Sequence, residues 1–164
     1  MSILGVMIAE SLSVTGHVNK ILSSCSSSMY GLKMLRERGM SNILLHEVTR
    51  ATIVARQPPR LLYASPSWFG FPRAADLHRL ENLIRRAKRG NYLPEDDRSF
   101  ASLATQADSS LFQSIVSNPD HVLRHLCQER PASQYNLRPR PHPFVLPTSD
   151  TKNFLPRLLY KDIY

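Results

Sequence analysis

The stretch HVNKILSSCSSSMYGLKMLRERG, residues 17–39, decides the fold class. Val18, Ile21, Leu22, Cys25, Met29, Leu32 and Leu35 recur at three- and four-residue steps, which places them on one face of an α-helix. Five of the six residues 23–28 are serine, yet the apolar period runs through them at Cys25. Gly39 follows Arg36 and Arg38, a stop signal with basic residues in the last turn. Cys25 is thereby assigned to the core, where a free thiol behaves as a small hydrophobe.

The same period extends outward in both directions. Ser41 can cap a helix from Asn42 to about Arg56, with Leu44, Leu45, Val48, Ala51, Thr52 and Ala55 inward and Pro58-Pro59 ending it. Leu61, Leu62 and Tyr63 resume an apolar pattern, and Trp68, Phe69 and Phe71 around Gly70 predict a tight aromatic corner. Asp76 is read as the cap of a helix to about Arg89, with Gly90 as its stop and Leu77, Leu80, Leu83, Ile84 and Ala87 inward. A further helix from about Ser99 to Ser117 buries Phe100, Leu103, Ala104, Ala107, Leu111, Phe112 and Ile115. Asn118-Pro119 ends it, and Asp120 is expected to cap a short helix through Cys127.

The two ends differ from this middle. Residues 3–14, ILGVMIAESLSV, read as a strand or short hairpin with a turn at Glu10-Ser11. Pro131, Pro139, Pro141, Pro143 and Pro147 exclude regular helix over 131–147, so that segment is expected to lie extended on a surface. A last short helix is expected within Lys152–Tyr164, bent or begun at Pro156. The expected fold is mainly α: a bundle of about five helices, a short N-terminal strand or hairpin, and an extended Pro-rich basic C-terminal tail. The boundaries are 1–16, 17–128 and 129–164.

Composition agrees. At 164 residues and 42% hydrophobic content the chain can build one real core. Twelve prolines against six glycines predict long irregular stretches. Lys+Arg number 21 against 13 Asp+Glu, a net charge of +8. The excess is localised: Arg73–Arg89 holds six basic and two acidic residues, and Arg130–Tyr164 again six and two. Such clusters are the electrostatic footprint of a polyanionic partner, and the bland alternative is a solvated helix face with a basic tail. No run approaches the ~18 apolar residues of a membrane span. Ile3–Ala9 lacks the basic flank of a signal peptide, and two cysteines suit a reducing compartment. The expectation is an intracellular protein, cytoplasmic or nuclear, neither secreted nor membrane-spanning.

Two constellations could carry chemistry. Asp96-Asp97 is the only adjacent aspartate pair, but two-metal catalysis needs carboxylates projected from a strand turn, and this pair follows Pro94-Glu95 in a polar loop. His121 and His125, four apart, would share a helix face near Cys127, but zinc requires at least a third ligand. No phosphate-binding glycine loop and no nucleophile motif is present. No catalytic residue, metal ligand or cofactor is predicted.

Longer strings carry a resemblance. They are Leu4-Gly5-Val6 with Leu12-Ser13-Val14 and His17-Val18-Asn19; Tyr30-Gly31-Leu32; Ala51-Thr52-Ile53-Val54-Ala55; and Leu62-Tyr63-Ala64-Ser65-Pro66-Ser67-Trp68. Arg85-Arg86-Ala87-Lys88-Arg89, Asn118-Pro119-Asp120-His121-Val122-Leu123, Tyr135-Asn136-Leu137-Arg138-Pro139-Arg140 and Asn153-Phe154-Leu155-Pro156-Arg157 follow. Taken together, the chain resembles the C-terminal part of the reverse transcriptase, an RNA-directed DNA polymerase, of non-LTR, LINE-type retrotransposons of the jockey-like group. The resemblance implies a last palm strand, a helical thumb and the basic tail. It places the catalytic carboxylates in a fingers–palm region that would precede Met1, so no polymerase activity is expected of this chain alone. One departure is the insertion of Gln57-Pro58-Pro59-Arg60, which would interrupt a continuous thumb helix.

By this resemblance the partners are RNA and DNA, gripped through template–primer phosphates without base preference. The residues expected to bind are Arg79, Arg85, Arg86, Lys88 and Arg89 on one helix, with Arg138 and Arg140 in the tail. The competing reading is a small helical protein–protein interaction module whose basic tail docks an acidic partner. A membrane-surface role ranks last, because the basic helix lacks Trp or Phe on its apolar side. The sequence does not fix an oligomeric state.

Overall fold

The computed structural model describes residues 2–54, 61–131 and 142–161 of the chain. Its architecture is mainly helical, opened by one small antiparallel hairpin. Strands β1 (Ser2–Ile3) and β2 (Val6–Met7) pair with Ile3 opposite Val6. The hairpin turns at Leu4-Gly5, both at positive φ, rather than at Glu10-Ser11. The second reversal does form at Glu10-Ser11, where the Leu12 amide donates to the Ala9 carbonyl at 2.9 Å.

Helix α1 spans Thr15–Glu37 and buries Val18, Ile21, Cys25 and Leu32, with Leu22, Met29 and Leu35 packed beside them. Its end is the one expected. Gly39 at φ +85° lets its amide bond the Arg36 carbonyl and lets the Met40 amide reach Leu35, a Schellman stop. Helix α2 (Asn42–Thr49) starts at Ser41, whose Oγ accepts from the Leu44 amide. It continues as π-helical turns over Arg50–Val54.

Its buried row is Leu45, Thr49 and Ile53, which corrects the expected face: Leu44 is 55% exposed and Ala51 also faces outward. The wider π turn rotates Ile53 inward. Buried Thr49 is satisfied by donating its hydroxyl to the Leu45 carbonyl at 2.7 Å. Ala55, the Pro58-Pro59 break and the Gln57–Arg60 insertion lie outside the described residues.

The aromatic corner forms around the short α3 (Ser65–Trp68). Trp68 is fully buried, stacks on Phe100 and donates its indole N–H to the Tyr63 carbonyl. Helix α4 spans Ala74–Arg89 and α5 Phe100–Ser117. Both bury the faces the period predicts, with Leu77, Leu103, Leu111 and Phe112 only partly covered. Ser99 caps α5 by accepting from the Ser102 amide.

Two expectations need correction here. Asp76 is not the cap of α4: the cap is Arg73, and Asp76 sits in the first turn, buried, as an acceptor. Gly90 ends α4 as expected, though at φ −80°, with the left-handed conformation taken by Asn91 after it. Gly90 is required for a different reason, since a Cβ there would meet the Tyr92 ring at 2.6 Å. The helix expected from Asp120 to Cys127 is only a 3-10 turn, Arg124–Leu126. The Asn118 side chain accepts from the Asp120 amide and the His121 ring from the Leu123 amide, so local side-chain acceptors replace helical bonding.

Helix α6 (Phe154–Leu159) closes the described chain, with Pro156 in its first turn, where no amide is needed. Of the Pro-rich segment expected to lie extended, residues 132–141 lie outside the described residues, and residues 142–147 are non-helical but not merely superficial. Phe144 is fully buried and bridges Glu129 in antiparallel fashion. With Ile115, Cys127 and Leu159 it forms a second apolar cluster on the C-terminal half of α5. Gly70 permits this docking, because a Cβ at that position would lie 1.9 Å from the Lys152 carbonyl oxygen.

Candidate nucleic-acid interface

Helices α1 and α4 run side by side in the same direction, tied at both ends. At their N-termini the Thr15 hydroxyl donates to Asp76 at 2.7 Å. At their C-termini Arg36 donates to the Gly90 carbonyl and lies 4.7 Å above the Tyr92 ring. This fixes which way α4 turns. Leu80, Leu83, Ile84 and Ala87 are buried, so Arg79, Arg85, Arg86 and Arg89 stand on the solvent side.

The acids of α4 do not share that face. Asp76 is buried against Thr15 and pairs with Arg79 at 3.2 Å. Glu81 reaches across to accept the Phe100 amide at 2.9 Å, satisfying a donor in the first turn of α5. Among the described residues the Arg85 guanidinium bonds only a neutral partner, Asn82, at 2.9 Å, and Asn82 also contacts His78. Among the described residues no partner carboxylate faces Arg85, Arg86 or Arg89.

The seven predicted binding residues therefore divide. Arg85, Arg86 and Arg89 form an uncompensated patch, with Arg79 at its edge sharing its charge with Asp76. Lys88 is turned the other way. Its ammonium donates to the Glu95 carbonyl at 3.0 Å and to the Asp97 carbonyl, clamping the 95–97 loop. Arg138 and Arg140 lie outside the described residues.

The charge of the C-terminal third is also partly engaged. Arg157 is mostly enclosed, 2.9 Å from buried Asp108 without hydrogen-bond alignment, and 5.3 Å from the Phe69 ring centre. Burial pushes the Asp108 carboxyl above its ordinary pKa, against the opposing pull of Arg157 and Lys161. Lys161 donates to Ser109 at 2.8 Å. Arg124 donates to the Ile115 and Val116 carbonyls at 3.1 and 2.7 Å, pairs with Glu129, and lies 4.7 Å above Phe144. These arginines close helix ends and hold the tail. No sequence signal distinguishes them from phosphate-binding ones, since each partner is distant or lies in a turn.

The two chemical constellations are structural in their surroundings. Asp97 accepts the Arg98 amide and pairs with Arg50 at 3.5 Å, while Asp96 is exposed in the same loop. His121 and His125 share no regular helix, and Cys127 is buried, its thiol pKa raised by burial. Among the described residues no three His, Cys, Asp or Glu side chains are grouped to hold a metal ion. None of the described helices is long and apolar enough to cross a membrane.

No family model, curated protein or solved structure matches this chain.

Proposed function

We propose that this chain is the thumb and tail of a non-LTR retrotransposon reverse transcriptase, without catalysis of its own, that holds RNA or DNA by the phosphate backbone. The family assignment rests on the sequence resemblance. The observation that carries the binding reading is the divergence of charge on α4: Arg85, Arg86 and Arg89 face solvent while Asp76 and Glu81 are turned inward. A backbone contact of this kind reads phosphate and not base, which suits a surface that must grip any sequence.

The test is fluorescence anisotropy with labelled single-stranded and duplex oligonucleotides across salt. Three contacts give a log–log salt slope of about −2 to −3, hence roughly twenty- to fortyfold weaker binding at 200 than at 50 mM salt. The triple substitution R85Q/R86Q/R89Q removes most of that slope and, being on exposed side chains, leaves the fold nearly intact. Unchanged affinity and slope in the triple variant would refute α4 as the contact surface.

One observation favours a protein–protein contact, as in the second reading, a helical interaction module whose basic tail docks an acidic partner. A groove of about 430 Å³, lined chiefly by Pro66, Leu111, Leu123, Phe154 and Leu155, opens between α3, α5 and α6. Nearby in sequence, Val122 is 77% exposed. Absence of saturable nucleic-acid binding even at about 50 mM salt would select that reading.

A further inference from the structure

The patch on α4 contains a pocket. Between α1 and α4 a recess of about 220 Å³ is lined by Leu22 and Ser26 of α1 and by Arg79, Asn82, Leu83 and Arg86 of α4. Its floor is apolar, from Leu22 and Leu83, and its rim is cationic and hydroxylic. Arg79 and Arg86 lie seven residues apart on one helix row, about 10.5 Å along the axis, with Leu83 between them. Ser26 faces them from the neighbouring helix and is exposed.

The groups on this rim have different freedom. Arg79 is held by Asp76, which orients its fork and cancels its charge. The Asn82 amide is engaged by Arg85 and His78. Arg86 and the Ser26 hydroxyl have no hydrogen-bond or ion-pair partner among the described residues. The pocket therefore presents about one net positive charge, a planar guanidinium fork and a hydroxyl donor.

We propose that this recess is the subsite for one internal phosphodiester of a bound nucleic-acid strand, with Arg86 as its principal ligand and Ser26 as a second donor. This rests on the nucleic-acid reading above and assigns within the patch the one place where a phosphate is held rather than merely attracted. A single net charge matches a monoanionic diester. A phosphate monoester or free inorganic phosphate, largely dianionic at neutral pH, would leave one charge uncompensated. A guanidinium presents two parallel donors to phosphate oxygens, which an ammonium cannot reproduce. Arg89, on the same face but outside the recess, supplies attraction only.

The test compares four variants on the full chain, using an oligonucleotide without terminal phosphates as probe. The expected loss for Arg86→Gln is about tenfold at low salt, the size of one charge-assisted bond. Arg89→Gln loses only about two- to threefold, the size of a screened surface attraction. Arg86→Lys keeps the charge and the salt slope but recovers little affinity, and Ser26→Ala loses about twofold. Titration followed by amide and arginine Nε–H NMR should shift Ser26, Leu83 and Arg86 most.

Rescue by Arg86→Lys, or equal losses for Arg86→Gln and Arg89→Gln, would overturn the subsite while leaving backbone binding in place. Saturation of the same resonances by inorganic phosphate, with no competition from the oligonucleotide, would overturn the diester assignment. Failure of the unmodified chain to bind any oligonucleotide would overturn the nucleic-acid reading itself.

Discussion

Gly70→Ala and Gly31→Ala make the same chemical change and should have opposite effects. At Gly70 the added methyl carbon would lie 1.9 Å from the Lys152 carbonyl oxygen, with the carbonyl carbon and Cα at 2.7 and 2.9 Å. Ordinary contact begins near 3.4 Å, so the Lys152 backbone must retreat by about 1.5 Å. Backbone cannot swing aside as a side-chain tip can. Lys152 is held by the turn at Asp150, which accepts the Lys152 and Asn153 amides, and leads directly into α6. A retreat there pulls on Leu158 and Leu159 and loosens Arg157 from buried Asp108.

Overpacking of this kind costs about 1–3 kcal/mol. For a chain of this size each kcal/mol is about 2–4 °C, so the midpoint should fall by roughly 3–10 °C. Gly31 lies inside α1 with nothing within 4 Å of its Cβ position. There alanine should stabilise by about 0.5–1 kcal/mol through helix propensity. Paired thermal melts followed by circular dichroism test this, with hydrogen exchange to place the loosening at residues 142–161. An unchanged or raised midpoint for Gly70→Ala would refute the close contact between corner and tail.

Burial, with a smaller push from Lys20, holds His17 below its ordinary pKa of 6.5, and its ring meets Trp68 edge-on at 5.2 Å. The folded state thus binds its proton less readily than the unfolded state, so this stabilisation is complete above pH 6.5 and lost as pH falls below it. Melts between about pH 7 and 5 should show a declining midpoint that flattens in His17→Phe. Arg124→Ala leaves two α5 carbonyls without their donor and uncovers Phe144, so it should cost about 2 kcal/mol in a denaturant titration. Primer-extension assays with magnesium or manganese should show no template-dependent synthesis, and extension abolished by Asp97→Ala would contradict that expectation.

The helices were legible where one physical signal dominated. In α1 and α5 the apolar period continues over four or more turns, so local composition, even a serine run, did not mask it. Gly39 was legible because a helix stop at positive φ favours glycine. Other readings failed where two causes share one appearance. An acid near a helix start is favoured both as a cap and in the first turn, and only Thr15, sixty-one residues earlier, reveals that Asp76 is the second. The stop at Gly90 was legible but its cause was not: the glycine leaves space for the Tyr92 ring and is not left-handed. The Asp120 segment carried a cap residue and apolar spacing, but Asn118 and His121 offered turn bonds that compete with a helix.

The candidate site shows the same division. A run such as Arg85-Arg86-Ala87-Lys88-Arg89 reports cations, not their freedom. Folding engages some of them: Lys88 closes a loop, Arg79 answers Asp76, and Arg157 in the tail answers Asp108. It also removes competitors by turning Glu81 toward α5, which leaves Arg85, Arg86 and Arg89 more available than net charge alone suggests. The two effects have separable consequences. Lys88→Gln should lower stability, by releasing carbonyl bonds to Glu95 and Asp97, yet scarcely alter the salt slope of nucleic-acid binding. Arg86→Gln should do the reverse. If Lys88→Gln instead reduces the slope by about one contact, the 95–97 loop opens on binding and the lysine changes partners from carbonyl to phosphate.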